Sequence, residues 1–283
     1  MLKTTPLVLA TLLAGRLTPA LAQNTPDENN LNVNAPFVQH IRPDRPGQTI
    51  TAGVLRPGEF QLETGIQRYT NSLGAGITGN TNTLRIGFFN SMELRITQPY
   101  IFGRPGTVGS ITSEKPGLRA DSVGWAPVTV GAKLMLTPDR ASRFQASLLF
   151  EAAIPNTGAT GLRQSKLAPG GRLLLSQQLG QRAALEGNFG FSQQGLSVSD
   201  ALRGQYIGSL ALTAAISDKA GYFLEGYGRG RDQVTTGATA GLYFRPWTGL
   251  RFDATLGRVL GGLGAGGTTV GVGLALRLGN NSY

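Results

Sequence analysis

His40 is the only imidazole in the 283 residues, and there is no cysteine. Hydrolysis by a serine or an activated water calls for a base held beside the nucleophile. His40 stands outside every patterned stretch of the chain, with no serine spaced to use it. The absence of cysteine removes a disulfide framework, a thiolate zinc site and a thiol nucleophile together. No His/Asp/Glu group has metal-ligand spacing. The glycine-rich "GLGAGGTTVGVG" (Gly262–Gly273) lacks the lysine and the following helix of a phosphate loop. The expectation is a protein that is not an enzyme, with no catalytic residue, cofactor or metal.

The residues whose spacing carries information are charged ones that alternate with apolar ones. Six bases (Arg85, Arg95, Lys133, Arg172, Arg251, Arg277) and six acids (Glu63, Glu93, Glu151, Glu186, Glu225, Asp253) occupy such positions. In "GRLLLSQQLGQRAALEGNFGF" (Gly171–Phe191), Leu173, Leu175, Leu185 and Phe189 oppose Arg172, Gln178, Glu186 and Asn188 across two runs joined by Gly180–Arg182. Period-two alternation marks strands with one apolar and one polar face, here a hairpin.

Ten further runs share the pattern: 60–69, 83–89, 92–100, 125–136, 144–154, 203–216, 220–227, 233–244, 250–260 and 268–278. That predicts about twelve strands. The connections after the even-numbered strands are short ("FNS", "TPDRASR", "GQR", "SDK", "RPWTG"), whereas the odd-numbered ones are mostly longer, up to Ile101–Gly124. Tight turns at one end and long loops at the other are the arrangement of an antiparallel up-and-down transmembrane β-barrel. Aromatic residues sort the same way: Phe89, Phe144, Tyr222, Phe244 and Trp247 near the turns, and Tyr69, Tyr100, Trp125, Phe191, Tyr206 and Tyr227 near the loops. Lipid would cover the apolar faces, and the twelve charged residues would line a lumen. Their equal numbers imply mutual pairing and little ion preference. Twelve strands imply a narrow conduit.

Residues 1–22 read as a secretory signal peptide, with Lys3, the apolar stretch Leu7–Leu13 and Ala20-Leu-Ala22 before the cut. Residues 23–58, polar and proline-rich, read as an N-terminal periplasmic arm, and 59–283 as the barrel. The formal charge of +10 falls to +8 once Lys3 and Arg16 leave. Of the partners a basic balance suggests, nucleic acid is the least expected for an exported chain, and none is expected here. The excess of positive charge lies in the long loops, among them Arg104, Lys115, Arg119, Arg163, Arg203 and Arg258, where lipopolysaccharide would meet it. If the arm folds inward, Arg42, Asp44 and Arg45 can pair with lumen charges.

"RPDRPGQTITAGVLRPGEFQLETGIQ" (Arg42–Gln67), "LRIGFFNSMELRI" (Leu84–Ile96) and "VTVGAKLML" (Val128–Leu136) resemble a family of bacterial outer-membrane proteins linked to the meta-cleavage pathway of phenol degradation. The resemblance extends through the opening hairpin to "GLRFDATLGRVL". It implies an outer-membrane barrel proposed to take up small, often aromatic or apolar, solutes; the loop sorting over an even number of strands puts both termini on the periplasmic side, and the barrel assembly machinery is the expected partner in insertion. One departure is that "GNNSY" follows the last apolar run, so that Tyr283 lies five residues beyond the position where such barrels usually close on an aromatic.

Three readings stay open on the sequence. One is a channel passing small solutes through a narrow, charge-balanced lumen. Another is a non-transporting barrel held in outer-membrane lipid, whose basic loops bind lipopolysaccharide or a partner. The third, a soluble periplasmic β protein, would leave the membrane in high salt without detergent.

Overall fold

The computed structural model describes residues 41–45, 47–72, 76–102, 123–138, 142–194, 203–262 and 264–279. All belong to one compact unit, Asn34–Tyr283. The signal-peptide reading, most of the arm, the basic positions Arg104, Lys115 and Arg119, and Tyr283 lie outside the described residues.

Thirteen strands follow one another: β1 (Phe60–Thr70), β2 (Gly76–Phe89), β3 (Met92–Phe102), β4 (Gly124–Trp125), β5 (Thr129–Met135), β6 (Phe144–Ala153), β7 (Ala168–Leu179), β8 (Ala183–Gln194), β9 (Arg203–Ala215), β10 (Ala220–Gly230), β11 (Val234–Trp247), β12 (Leu250–Gly261) and β13 (Thr268–Leu278). β4 and β5 together make one stave against β3. The break falls at Ala126–Val128, where Pro127 has no N–H for the ladder. Each remaining strand pairs antiparallel with its neighbours in sequence, and β1 closes the ring on β13 with Phe60 opposite Leu278. The result is the expected all-β, antiparallel, twelve-staved closed barrel. Among the described residues each stave is paired on both sides along most of its length, with β4 paired on one side only, which approaches the condition for a sheet to cross hydrocarbon.

Alternation sets the two faces. On the outside, Leu173 and Phe189 of the opening hairpin are exposed, as are Leu210, Leu242, Leu256 and Val272 on later staves. An apolar surface of that extent is foreign to water and suited to lipid. Phe89, Phe144, Phe244 and Trp247 lie on this outer face toward the turns; Trp125, Phe191 and Tyr206 lie on it toward the loops. Tyr69 and Tyr227, expected in the loop-side girdle, instead follow the inward alternation. Tyr227 lies against Gly237 and Tyr69 against Gly264 and Gly267.

Strand boundaries depart from the sequence expectation at several ends, among them β7, which begins at Ala168, and β10, which runs to Gly230; two departures carry a physical reason. β2 begins at Gly76 and not at Thr83, because "GITGNTN" carries no apolar alternation yet pairs in full with β1. β11 runs on to Trp247. Its register slips between Phe244 and Trp247, where Pro246 cannot donate, and the strand bulges. The β7–β8 turn is closed by Gly180 at φ +69°, a conformation that favours glycine.

Candidate functional site: the lumen and the segment inside it

The barrel is not empty. Residues 41–58 enter beside the β11–β12 turn, where the Ile41 N–H donates to the Thr248 carbonyl at 3.1 Å. They leave beside β2, where Gly58 and Gly87 are joined by a 3.0 Å backbone hydrogen bond. Between these points Thr49 and Ile50 reach Ser209, Glu225 and Asn188, near the middles of β9, β10 and β8, so the segment occupies much of the turn-side half of the interior.

An extended segment with no strand partner must find other acceptors and donors for its backbone, and the wall supplies them. Glu225 of β10 accepts from the N–H groups of Gln48 and Thr49 at 2.7 and 2.6 Å. Asn188 of β8 accepts from the Ile50 N–H at 2.6 Å and donates to its carbonyl at 2.8 Å. Ser176 of β7 accepts from the Ala52 N–H at 3.1 Å, and Ser147 of β6 donates to the Ala52 carbonyl. Glu93 of β3 accepts from the Leu55 N–H at 3.0 Å.

Charge pairing is concentrated on the arc from β1 to β5. Glu63 (β1), Arg85 (β2), Glu93 and Arg95 (β3) and Lys133 (β5) come from consecutive staves, and all are buried. Arg85 stands directly opposite Arg95 in the β2–β3 register, an arrangement of like charges that costs stability by itself. Three bases and two acids leave this arc one negative charge short. Asp44 of the inserted segment supplies it: its carboxylate pairs with Arg95, with Lys133 at 3.1 Å and with Arg85 at 3.4 Å. Glu63 and Glu93 hold Arg85 at 3.0 and 2.7 Å, and Lys133 also reaches Glu93 at 3.3 Å. Burial by itself would raise the Asp44 carboxyl; the three cations hold it well below the ordinary carboxylate range instead.

Apolar packing completes the fit. Ile50 and Ala52 of the segment meet Leu149 of β6 and Leu174 of β7 in one buried cluster. These two leucines point inward, against the rule that apolar residues of this barrel point out. Two glycines facing each other across β1 and β13, Gly65 and Gly273, form a seat for the Arg45 guanidinium. A β-carbon at Gly65 would come within 1.6 Å of it.

Of the twelve candidates from sequence, Glu63, Arg85, Glu93, Arg95, Lys133, Glu186, Glu225, Arg251 and Asp253 are buried, while Glu151, Arg172 and Arg277 are partly exposed on the same inward alternation. Six of them touch the segment or one another as above. Glu186 pairs with Arg42, and Arg172 faces Glu151 at 3.7 Å. Arg245 was not among the candidates. It is buried inside β11, two residues beyond Tyr243 on the same face, and extending the alternation past Phe244 would have found it. With Arg42 and Arg45 from the segment, it tilts the interior toward positive charge.

A family model described as "Putative MetA-pathway of phenol degradation" matches residues 43–278. No curated protein matches the chain. Among solved structures, the COG4313 outer membrane channel from Pseudomonas putida F1 is similar at 14% identity and TM-score 0.60, over 83% of this chain and 99% of that one. The KdgM porin in complex with disordered oligogalacturonate is similar at 10% identity and TM-score 0.54, over 76% and 98%. The NanC porin gives 8% identity and TM-score 0.53, over 76% and 100%.

Proposed function

The chain belongs to the family of the MetA pathway of phenol degradation, and on that premise we propose that it is an outer-membrane channel for small solutes, aromatic ones among them. The observation that carries this is the closed barrel with an apolar outer face and a charged, hydrogen-bonding interior. Glu, Arg and Lys side chains facing inward from most staves suit an interior that water enters. The likeness to outer-membrane channels in fold supports the same reading. No catalytic step belongs to it.

Both ends of the barrel sheet, Phe60 and Leu278, lie together at the turn end. This supports periplasmic termini, with the long loops outside and their basic residues against lipopolysaccharide. Residues 1–22 then act as the signal peptide, and the assembly machinery inserts residues 59–283. Residues 41–58, part of the arm, set the narrow point of the conduit.

The filled turn-side half favours a second reading, a barrel that does not transport. Swelling of proteoliposomes in isotonic solutions of small sugars and amino acids separates the two. Swelling faster than in protein-free vesicles is expected; equal rates with folded barrel in the vesicles would contradict transport.

A further inference from the structure

The apolar outer face carries two arginines. Alternation turns Arg258 of β12 outward between the exposed Leu256 and Leu260, and Arg68 of β1 outward beyond Ile66. Arg258, counted with the long loops in the sequence, thus lies inside a strand. The register sets the two arginines close together. Arg258 faces Thr268 of β13 and Arg68 faces Val270 of the same strand, so only β13 separates them. No outward position of β10 to β13, β1 or β2 holds an Asp or Glu, and among the described residues no acid pairs with either arginine. A guanidinium turned toward hydrocarbon is costly unless an anion in the headgroup layer receives it.

Beside Arg258 the face is notched. At one level of the ladder Leu224, Ala240 and Leu256 follow one another across β10, β11 and β12. At the next level toward the loops stand Gly226, Ala238 and Arg258. The alanines and the glycine floor an open groove between the exposed Leu224 and Leu256, with Arg258 and Thr268 at its rim. A β-carbon at Gly226 would meet nothing within 4 Å. The groove measures about 470 Å³, against the ~30 Å³ that one water takes up in the liquid. It therefore has room for a hydrocarbon chain, and its walls offer water few partners.

A second copy packed here about a two-fold axis would set the same arginines against each other, with no outward acid to answer them. An acyl lipid with a phosphorylated headgroup answers both features, its chain in the groove and its phosphate on the guanidinium. We propose that this face binds one molecule of the phosphorylated glycolipid of the outer leaflet. An acyl chain lies in the Leu224–Leu256 groove, and the phosphates meet Arg258 and Arg68 beside the Thr268 hydroxyl. The inference rests on the reading that puts the long loops outside. It goes beyond that reading, because the contact is a built seat on the strand face and not a general attraction to basic loops.

Native mass spectrometry of the refolded chain in detergent tests this. The probes are bisphosphorylated lipid A, the same lipid without its phosphates, and phosphatidylglycerol. Lipid A is expected to stay bound, one per barrel, at a concentration at least about tenfold below that needed for either of the others. R68Q/R258Q, checked for folding by circular dichroism, should lose the preference over the dephosphorylated lipid. A240L, which fills the groove and leaves both arginines, should weaken retention of lipid A severalfold, and it serves alone if the double variant does not fold. Equal retention of lipid A with and without phosphates by the native protein overturns the seat. Equal retention of phosphatidylglycerol overturns the glycolipid as its occupant, and unchanged retention by A240L overturns the groove. Retention in detergent depends on neither conduction nor orientation. A tag inserted after Ala265, in the β12–β13 loop, is reached by antibody on intact cells only if that loop faces outside, so a wrong orientation and an empty seat read out separately.

Discussion

The carboxylate of Asp44 and the ammonium of Lys133 lie 3.1 Å apart, with side-chain exposures of 2% and 0%. One belongs to the inserted segment and the other to the barrel wall, so this contact is where the plug and the conduit are charge-matched. Removing one member of a buried pair strands the other, at a cost of about 3–5 kcal/mol. Asp44→Asn is therefore expected to loosen residues 41–58, read as faster proteolysis within the segment in folded barrels. Adding Lys133→Met, which makes the arc neutral again, should recover a large part of the loss. A double variant no better protected than Asp44→Asn would show that charge matching does not hold the segment.

Acid tests the same carboxylate from another direction. Its folded pKa is held below the ordinary value by Arg85, Lys133 and Arg95 against the opposing effect of burial. The stabilisation is present above the unfolded pKa and is lost as pH falls through the lower folded one. Protection of the segment should accordingly be flat from roughly pH 8 to roughly pH 5, and should weaken only below about pH 4. Release near neutrality would contradict this.

Two glycines under the segment should differ. At Gly65 an added β-carbon meets the end of the flexible Arg45 side chain, which can move aside. At Gly87 it would lie 1.8 Å from the backbone carbonyl oxygen of Arg56, in the tight turn that leads out of the lumen. Gly65→Ala is expected to cost under about 1 kcal/mol, and Gly87→Ala about 1–3 kcal/mol, measured by urea unfolding in lipid vesicles.

Leu173 and Leu174 are neighbours with opposite surroundings, at 37% and 0% exposure. Leu174→Ala opens a void against Ile50 and Ala52 and should destabilise by about 2–5 kcal/mol. Leu173→Ala, on the outer face, should cost clearly less. Equal losses would mean that the Ile50 cluster does not pack as described.

The staves were legible because alternation survives wherever one face is apolar and the other polar, as in Leu250–Leu260. It failed at "GITGNTN", which is small and polar on both faces, and at Pro127, which breaks a stave without disturbing its pattern. Inside the barrel, the charged positions could be read for the same reason. Leu149 and Leu174 could not, since each sits in a run of leucines that hides which way a residue points. The path of residues 41–58 was the least legible feature. Its backbone partners, Asn188 and Glu225, stand 138 and 176 to 177 positions away in sequence. The side chains that satisfy it advertise nothing locally beyond polar residues facing inward. The motif "RPDRPG" gave the charges that could pair; only the structure shows that Asp44 meets three bases at once.

The most direct test of the account is single-channel conductance in planar bilayers, comparing the native protein with a variant lacking residues 42–55. If the segment sets the narrow point, the deletion should give steps severalfold larger than those of the native barrel, with circular dichroism unchanged in strand content. Indistinguishable conductance from two folded barrels would contradict that role.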